Sequence, residues 1–136
     1  MAFGRLRRIF SRPPHVRTWK DDARGRGLIP VMDWNWETLY AIDPDGRVVR
    51  AEDFASDEVR EETDPYVRHV VLSQAAVRFP ELERFRPVRE PGDPSCVPCR
   101  GAGTHPDRPR MICRCGGLGW LPAALAESAW IGPAAE

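Results

Sequence analysis

The sequence predicts an α+β fold: a small β-hairpin or sheet with a helix, followed by a C-terminal hairpin module built on clustered cysteines. Three patterns predict it. They are a turn-forming tetrapeptide between two arms rich in aromatic and branched residues, an amphipathic segment that begins after an Asp-Pro pair, and two close cysteine pairs. The 136 residues suit one small domain, and 14 prolines with 11 glycines predict many turns.

The first hairpin is predicted over residues 36–52. Its arms, "WETLYAI" and "RVVRAE", flank the turn Asp43-Pro44-Asp45-Gly46. Pro44 presets the φ angle of the second turn residue, and Gly46 accepts the positive φ that leads back into a strand. Six apolar side chains are expected to contribute to the core: Trp34, Trp36, Leu39, Ile42, Val48 and Val49.

A helix is predicted after this hairpin, with Asp64 as its N-cap and Pro65 as its first residue. Pro80 ends it, and "ELERF" adds a further turn. We expect His69 to be a surface or partly packed residue rather than a catalytic base, because no partner at helical spacing would orient it. The face expected to pack on the core consists of Val67, Val70, Val71, Gln74, Ala75, Arg78 and Phe79.

The charge is unevenly distributed along a chain whose formal net charge is zero. Residues 1–26 carry eight basic groups and two acids, whereas residues 33–64 carry eleven acids and three arginines. This asymmetry either steers a partner or lets the basic arm lie against the acidic face of the chain itself. Within the arm, Phe3, Leu6, Ile9 and Phe10 recur at the spacing of a short amphipathic helix.

No stretch of the chain approaches the length of a membrane span, and the N-terminus lacks the apolar core of a secretion signal. A cytoplasmic location is therefore expected, and the use of arginine for 19 of 20 basic residues suggests a bacterial source.

These patterns divide the chain into four predicted segments. They are a basic N-terminal arm and linker (1–29), a small α+β core (30–90), a zinc-binding module (91–122), and a short C-terminal helix and tail (123–136) with Trp130 available to cover the core.

The cysteine module contains two halves with the same glycine spacing. Cys99 and Cys115 each begin a C-x-G-x-G motif, and each has a cysteine shortly before it. Cys96 completes a C-x-x-C pair and Cys113 a C-x-C pair, with thirteen residues between Cys99 and Cys113. Two such turns aim four sulfurs at one point, and the glycines allow backbone N–H groups to approach them.

The four thiols therefore predict one Zn²⁺ per chain, bound by Cys96, Cys99, Cys113 and Cys115. Disulfides or unused thiols are less favoured in a reducing compartment, and a redox role for C-x-x-C lacks the βαβ pattern that accompanies it. His105 remains an alternative ligand in place of one cysteine. Because four thiolates close the coordination shell, the metal is expected to be structural.

The module resembles the cysteine-rich zinc-binding domain of DnaJ-type co-chaperones, whose repeat is C-x-x-C-x-G-x-G. The resemblance covers residues 96–120 and implies that the four cysteines are ligands of one zinc. That family has four repeats and two zincs, whereas this chain has two repeats, the second of which is one residue shorter. The segment is also similar to the C-terminal part of a group of small bacterial proteins, which implies no activity.

The tripeptide His105-Pro106-Asp107 also occurs in the J domain of those co-chaperones. There it lies between two long helices, whereas here it falls between the cysteine pairs. We interpret the match as coincidental because a motif has meaning only in its structural context.

The function predicted from these features is a non-catalytic, zinc-stabilised protein-interaction module of an adaptor or chaperone-like kind. Leu118, Trp120 and Leu121 are expected to form part of its display surface. The alternative is a zinc-dependent nucleic-acid-binding protein, with Trp120 as a base-stacking residue beside Arg100, Arg108, Arg110 and Arg114. Enzymatic activity and a small-molecule substrate are not expected, although the acidic hairpin leaves a third, enzymatic option open.

Overall fold

The computed structural model describes residues 17–34, 38–55 and 58–130 and confirms the α+β class. A four-stranded antiparallel sheet has the order β1-β2-β3-β4, and a separate two-stranded sheet pairs β5 with β6. The elements in chain order are α1 (Trp19–Gly25), β1 (Ile29–Trp34), β2 (Thr38–Ile42), β3 (Val48–Ala51), β4 (Arg60–Glu61), α2 (Pro65–Arg78), a 3₁₀ helix (Pro80–Phe85), β5 (Thr104–His105), β6 (Arg108–Ile112) and α3 (Ala123–Trp130).

Strands β2 and β3 form the predicted hairpin, with Ile42 opposite Val48. The Asp43 carboxylate accepts hydrogen bonds from the backbone N–H groups of Asp45 (2.9 Å) and Arg47 (2.8 Å). Gly46 has a φ of 86°, which a residue with a side chain adopts only at a cost. The turn chemistry read from the sequence therefore sets the register of the hairpin.

The sheet buries apolar side chains on both of its faces. One face, with Tyr40, Ile42 and Val48, packs against Val71 of α2 and Leu82 of the 3₁₀ helix. The opposite face carries a second cluster, formed by Ala23, Ala41, Val49, Ala51 and Phe54. Of the six predicted core residues, Ile42, Val48 and Val49 are buried, Trp34 and Leu39 are half-buried, and Trp36 lies outside the described residues.

Part of the predicted linker is a helix. An arm and linker without a helix in its later part was predicted over residues 1–29, yet α1 begins after Thr18, whose backbone N–H donates to the Asp21 carboxylate at 2.9 Å. Ala23 on this helix is fully buried, and Trp19 stacks on Phe54 with ring centroids 6.2 Å apart. Burial of one small face against the sheet outweighs the poor helix propensity of the surrounding segment. The amphipathic segment predicted within residues 1–16 lies outside the described residues.

Helix α2 follows its prediction closely. The Asp64 carboxylate accepts hydrogen bonds from the N–H groups of Tyr66 and Val67, Pro65 occupies the first turn, and the helix ends before Phe79. The 3₁₀ helix Pro80–Phe85 is the expected further turn. The alanine-rich helix near the C-terminus is also present as α3, although the Trp130 side chain lies outside the described part of the chain. None of the described helices is long and apolar enough to cross a membrane.

A buried carboxylate ties the sheet to the start of α2. Glu62 is 6% exposed and accepts a hydrogen bond from the Tyr40 hydroxyl at 3.1 Å and from the backbone N–H of Thr63 at 3.0 Å. Burial, and then the adjacent Glu62, raise the pKa of Tyr40 to about 12. The pair therefore depends on a protonated Tyr40 hydroxyl as its donor.

We expect Tyr40→Phe to lower the free energy of unfolding at neutral pH by about 2 kcal/mol, because the buried Glu62 loses a hydrogen-bond donor. The unfolded chain ionises Tyr40 near pH 10.0, whereas the folded protein holds that proton to about pH 12. Stability should therefore fall as the pH rises through this interval, and the fall should be smaller in Tyr40→Phe. Urea titrations at neutral and alkaline pH measure both effects. Identical alkaline slopes in the two proteins would contradict the assignment.

Candidate metal centre

The four cysteines meet at the base of the β5–β6 hairpin. Cys96 and Cys99 precede β5, and Cys113 and Cys115 follow β6. Each is at most 8% exposed, and their four sulfur atoms all lie within 4.8 Å of one another. The structure thus brings together all four residues that the sequence analysis selected as ligands.

The sulfur separations match those of a tetrahedral metal site. The sulfurs of Cys96 and Cys113 are 3.5 Å apart, and those of Cys99 and Cys115 are 4.0 Å apart. Four sulfurs about 2.3 Å from a central zinc would be separated by roughly 3.8 Å. The cluster can therefore hold a metal ion and is compatible with a zinc-binding segment. Sulfur ligands favour zinc and other thiophilic metals over magnesium or calcium.

The two halves of the module follow nearly the same backbone path. Equivalent positions after Cys99 and Cys115 have positive φ angles in both halves. Arg100 is the one non-glycine residue with positive φ among the described residues, and it corresponds to Gly116. The paired φ angles are 55° and 101° for Arg100 and Gly116, 81° and 104° for Gly101 and Gly117, and 85° and 83° for Gly103 and Gly119.

Reciprocal hydrogen bonds join the halves. The N–H of Cys113 donates to the carbonyl of Gly103 at 2.9 Å, and the N–H of Cys96 donates to the carbonyl of Gly119 at 2.7 Å. The N–H of Gly103 also approaches the Cys99 sulfur at 3.3 Å, as expected for a backbone donor that stabilises a thiolate. The module therefore has approximate two-fold symmetry around the sulfur cluster.

The glycine spacing allows the backbones of the two halves to approach closely. A Cβ on Gly103 would lie 2.2 Å from the carbonyl oxygen of Gly117, and a Cβ on Gly119 would lie 2.2 Å from that of Gly101. In each half the first glycine of the motif thus presents its carbonyl to the second glycine of the other half. The repeated C-x-G-x-G pattern has a steric cause in addition to its positive φ angles.

Hydrogen bonding among the thiols separates their pKa values. The neighbouring thiols of Cys113 and Cys96, together with backbone N–H groups, lower the pKa of Cys115. Hydrogen bonds to Cys113 and Cys115, followed by burial, raise the pKa of Cys96. Metal binding to all four sulfurs must therefore displace protons from the cluster.

Helix α2 forms one wall of the metal centre. The Tyr66 hydroxyl donates to the carbonyl of Arg114 at 3.0 Å. A Cβ on Gly116 would lie 2.7 Å from the Val70 carbonyl oxygen, and one on Gly117 would lie 3.3 Å from Val77 Cγ2. The second half of the module thus lies along α2 from its first turn to its last. This interface was not predicted from the sequence. Gly116 was the available sign of it, because the equivalent position in the first half is not a glycine.

His69 is a buried part of this interface, so the prediction of a surface or partly packed residue was wrong. It is 5% exposed, its Nε2 donates to the Trp120 carbonyl at 3.1 Å, and its ring meets the Trp120 ring edge-to-face at 4.9 Å. Ser73, one turn along the helix, lies 3.4 Å from the same nitrogen and supplies the local partner that was thought absent. Burial lowers the pKa of His69, in keeping with a neutral ring.

Two further expectations about the module change. Trp120 is 6% exposed and Leu121 is fully buried, so neither contributes to a display surface, and Trp120 does not offer a face for base stacking. His105 is exposed at the turn between β5 and β6, where its Nδ1 accepts from the N–H of Asp107 at 3.1 Å. The sulfur cluster therefore forms without His105, and the His-Pro-Asp tripeptide lies in a hairpin turn rather than between helices.

No family model, no curated protein and no solved structure matches the chain. The resemblance of residues 96–120 to the DnaJ-type domain therefore rests on cysteine and glycine spacing alone.

We expect Gly119→Ala to destabilise the module far more than Gly27→Ala does. Both residues have positive φ, at 83° and 76°, so both substitutions carry the left-handed backbone cost of about 1 kcal/mol. A Cβ at Gly27 meets no atom within 4 Å, whereas a Cβ at Gly119 overlaps the Gly101 carbonyl. The overlap should add about 2 kcal/mol.

Thermal unfolding and competition with a chromophoric zinc chelator measure this difference. The metal affinity of Gly119→Ala should fall at least about tenfold, and that of Gly27→Ala should be unchanged. Equal losses in the two variants would show that backbone conformation, not contact between the halves, explains the glycine.

Proposed function

We propose that this chain is a non-catalytic protein-interaction module, adaptor or chaperone-like, stabilised by one structural Zn²⁺ bound to Cys96, Cys99, Cys113 and Cys115. The observation that carries the proposal is the convergence of four buried sulfurs within 4.8 Å at the base of a hairpin. The DnaJ-type spacing of residues 96–120 supports the same assignment.

Four thiolate ligands favour a structural rather than a chemical role for the metal. A catalytic zinc keeps one coordination position for water or substrate, and four cysteines leave none. The negative charge of four thiolates also weakens the ion as a Lewis acid. The burial of all four sulfur-bearing side chains supports a site shielded from solvent.

The small apolar content of the module explains its need for a metal. Its buried cluster consists of the four cysteines with Leu121 and Ala126, against which Tyr66 packs. Such a cluster supplies little hydrophobic free energy compared with the two-sided core of the four-stranded sheet. Metal coordination contributes directly to folding free energy and offsets this deficit.

The β5–β6 hairpin is the part of the module best suited to contact a partner. Residues 108–111 of β6 are all exposed, and Val97 in the first cysteine pair is 71% exposed. A partner protein is the first candidate. The second candidate is nucleic acid, favoured by Arg100, Arg108, Arg110 and Arg114, all of which are exposed. The burial of Trp120 removes the stacking residue that this alternative would use.

Elemental analysis of the purified, reduced protein should give about one zinc per chain. Cys96→Ser should lower zinc content and loosen residues 91–122, and hydrogen exchange should accelerate along α2 because this helix shares the interface. The sheet β1–β3 should remain protected. Val97→Ser places the same new residue in the same turn at an exposed position and should keep its zinc. A metal-free protein that is equally well ordered would refute the structural role.

Affinity capture from the native cell, with and without nuclease, tests the class of partner. A defined protein retained after nuclease treatment supports the interaction module. Loss of all retained material after nuclease, together with binding that weakens steeply as salt rises, would instead support nucleic-acid binding.

A further inference from the structure

Four exposed arginines give the cysteine module a net positive charge. Arg100, Arg108, Arg110 and Arg114 lie between Cys96 and Trp120, where Asp107 is the one acidic residue. All four are exposed, and none forms an ion pair with another described residue. By contrast, Arg24, Arg47 and Arg86 each lie within 4.0 Å of a carboxylate.

Exposed apolar side chains accompany these arginines. Met111 is 47% exposed on β6, and Val97 is 71% exposed in the first cysteine pair. A surface that bound only a phosphate backbone would gain nothing from Met111 or Val97. Trp120, the one Trp, Tyr or Phe of the module, is buried and does not offer its ring for stacking on bases. The combination of charge and apolar area therefore favours a protein segment over nucleic acid.

Strand β6 presents an open edge to such a segment. Among the described strands, β6 pairs with β5 alone. The pairing is irregular, because Thr104 lies opposite Ile112 whereas His105 lies opposite Arg108, so residues 109–111 bulge from the ladder. Residues 108–111 are all exposed there, and an extended segment beside this edge would meet both the arginines and the apolar side chains.

We propose that the open edge of β6 binds an extended protein segment that carries both acidic and apolar residues, the acidic ones pairing with Arg108 and Arg110 and the apolar ones contacting Pro109 and Met111. This inference rests on the proposed function and adds the chemistry of its partner. Arginine suits such a partner because its planar guanidinium pairs with a carboxylate through two hydrogen bonds. Pro109 lacks a backbone donor, so side-chain contacts rather than a full β-ladder supply the affinity.

The metal centre prepares this surface for binding. The N–H of Cys113, directly after β6, donates to the carbonyl of Gly103, directly before β5, so the hairpin is closed at its base next to the sulfur cluster. A hairpin held in one conformation loses little entropy when a partner binds. Binding of the acidic segment should therefore require the metal.

Peptide display on the zinc-loaded full chain tests the proposal. Random peptides selected for binding should be enriched in acidic and apolar residues. A selected peptide, synthesised with a fluorescent label, should bind Arg108→Ala/Arg110→Ala at least about tenfold more weakly in fluorescence anisotropy. The matched control is Arg24→Ala/Arg26→Ala, which removes two exposed arginines at the same spacing, one in the last turn of α1 and one at its C-cap, and should bind the peptide unchanged. Met111→Ser should weaken binding by a smaller factor.

Several results would overturn the proposal. They are a failure to select any peptide, selected sequences without acidic enrichment, equal binding by the two double variants, or tighter binding of a single-stranded DNA oligonucleotide than of any peptide. Zinc content and circular dichroism are measured on every variant. A zinc-loaded, folded protein that binds no acidic peptide would refute this inference and leave the structural metal intact, whereas a protein that binds no zinc would refute the proposed function itself.

Discussion

The C-terminal third of the chain is organised around the meeting of four cysteine sulfurs. Cys96 and Cys115 are separated by 18 residues in sequence, yet both are fully buried in one cluster. The backbone can reach this arrangement because glycines permit positive φ on both sides and let the two halves touch. Without a centre that attracts all four sulfurs, little apolar area would hold these residues together.

Helix α2 connects the cysteine module to the four-stranded sheet. Val71 and Ala75 pack on the four-stranded sheet, while Tyr66, His69 and Val70 contact the metal module. A single helix therefore belongs to both the hydrophobic core and the wall of the candidate metal centre. The two parts of the protein share a packed interface, which makes independent folding of the module unfavourable. The stability of each part depends on how well α2 is placed.

The local features of the fold could be predicted from sequence because short-range chemistry determines them. Asp64 and Pro65 mark the start of α2, and Asp43 to Gly46 mark the hairpin turn, since capping and turn preferences act within a few residues. The cysteine cluster was predictable for the same reason. Helix α1 and the burial of His69 and Trp120 were not, because each depends on a partner far away in sequence. His69 and Trp120 are 51 residues apart, and no helical or strand period connects them.

The approximate two-fold relation between the C-x-G-x-G halves has a consequence for how this module tolerates change. Each half packs against the other, so a substitution near either cysteine pair affects the packing of both halves. The residues at the tip, around Pro106 and Asp107, take no part in these reciprocal contacts. Variation in length and composition can therefore accumulate at the tip while the base stays constant. The module therefore combines a base whose two halves constrain each other with a tip that is free of those constraints.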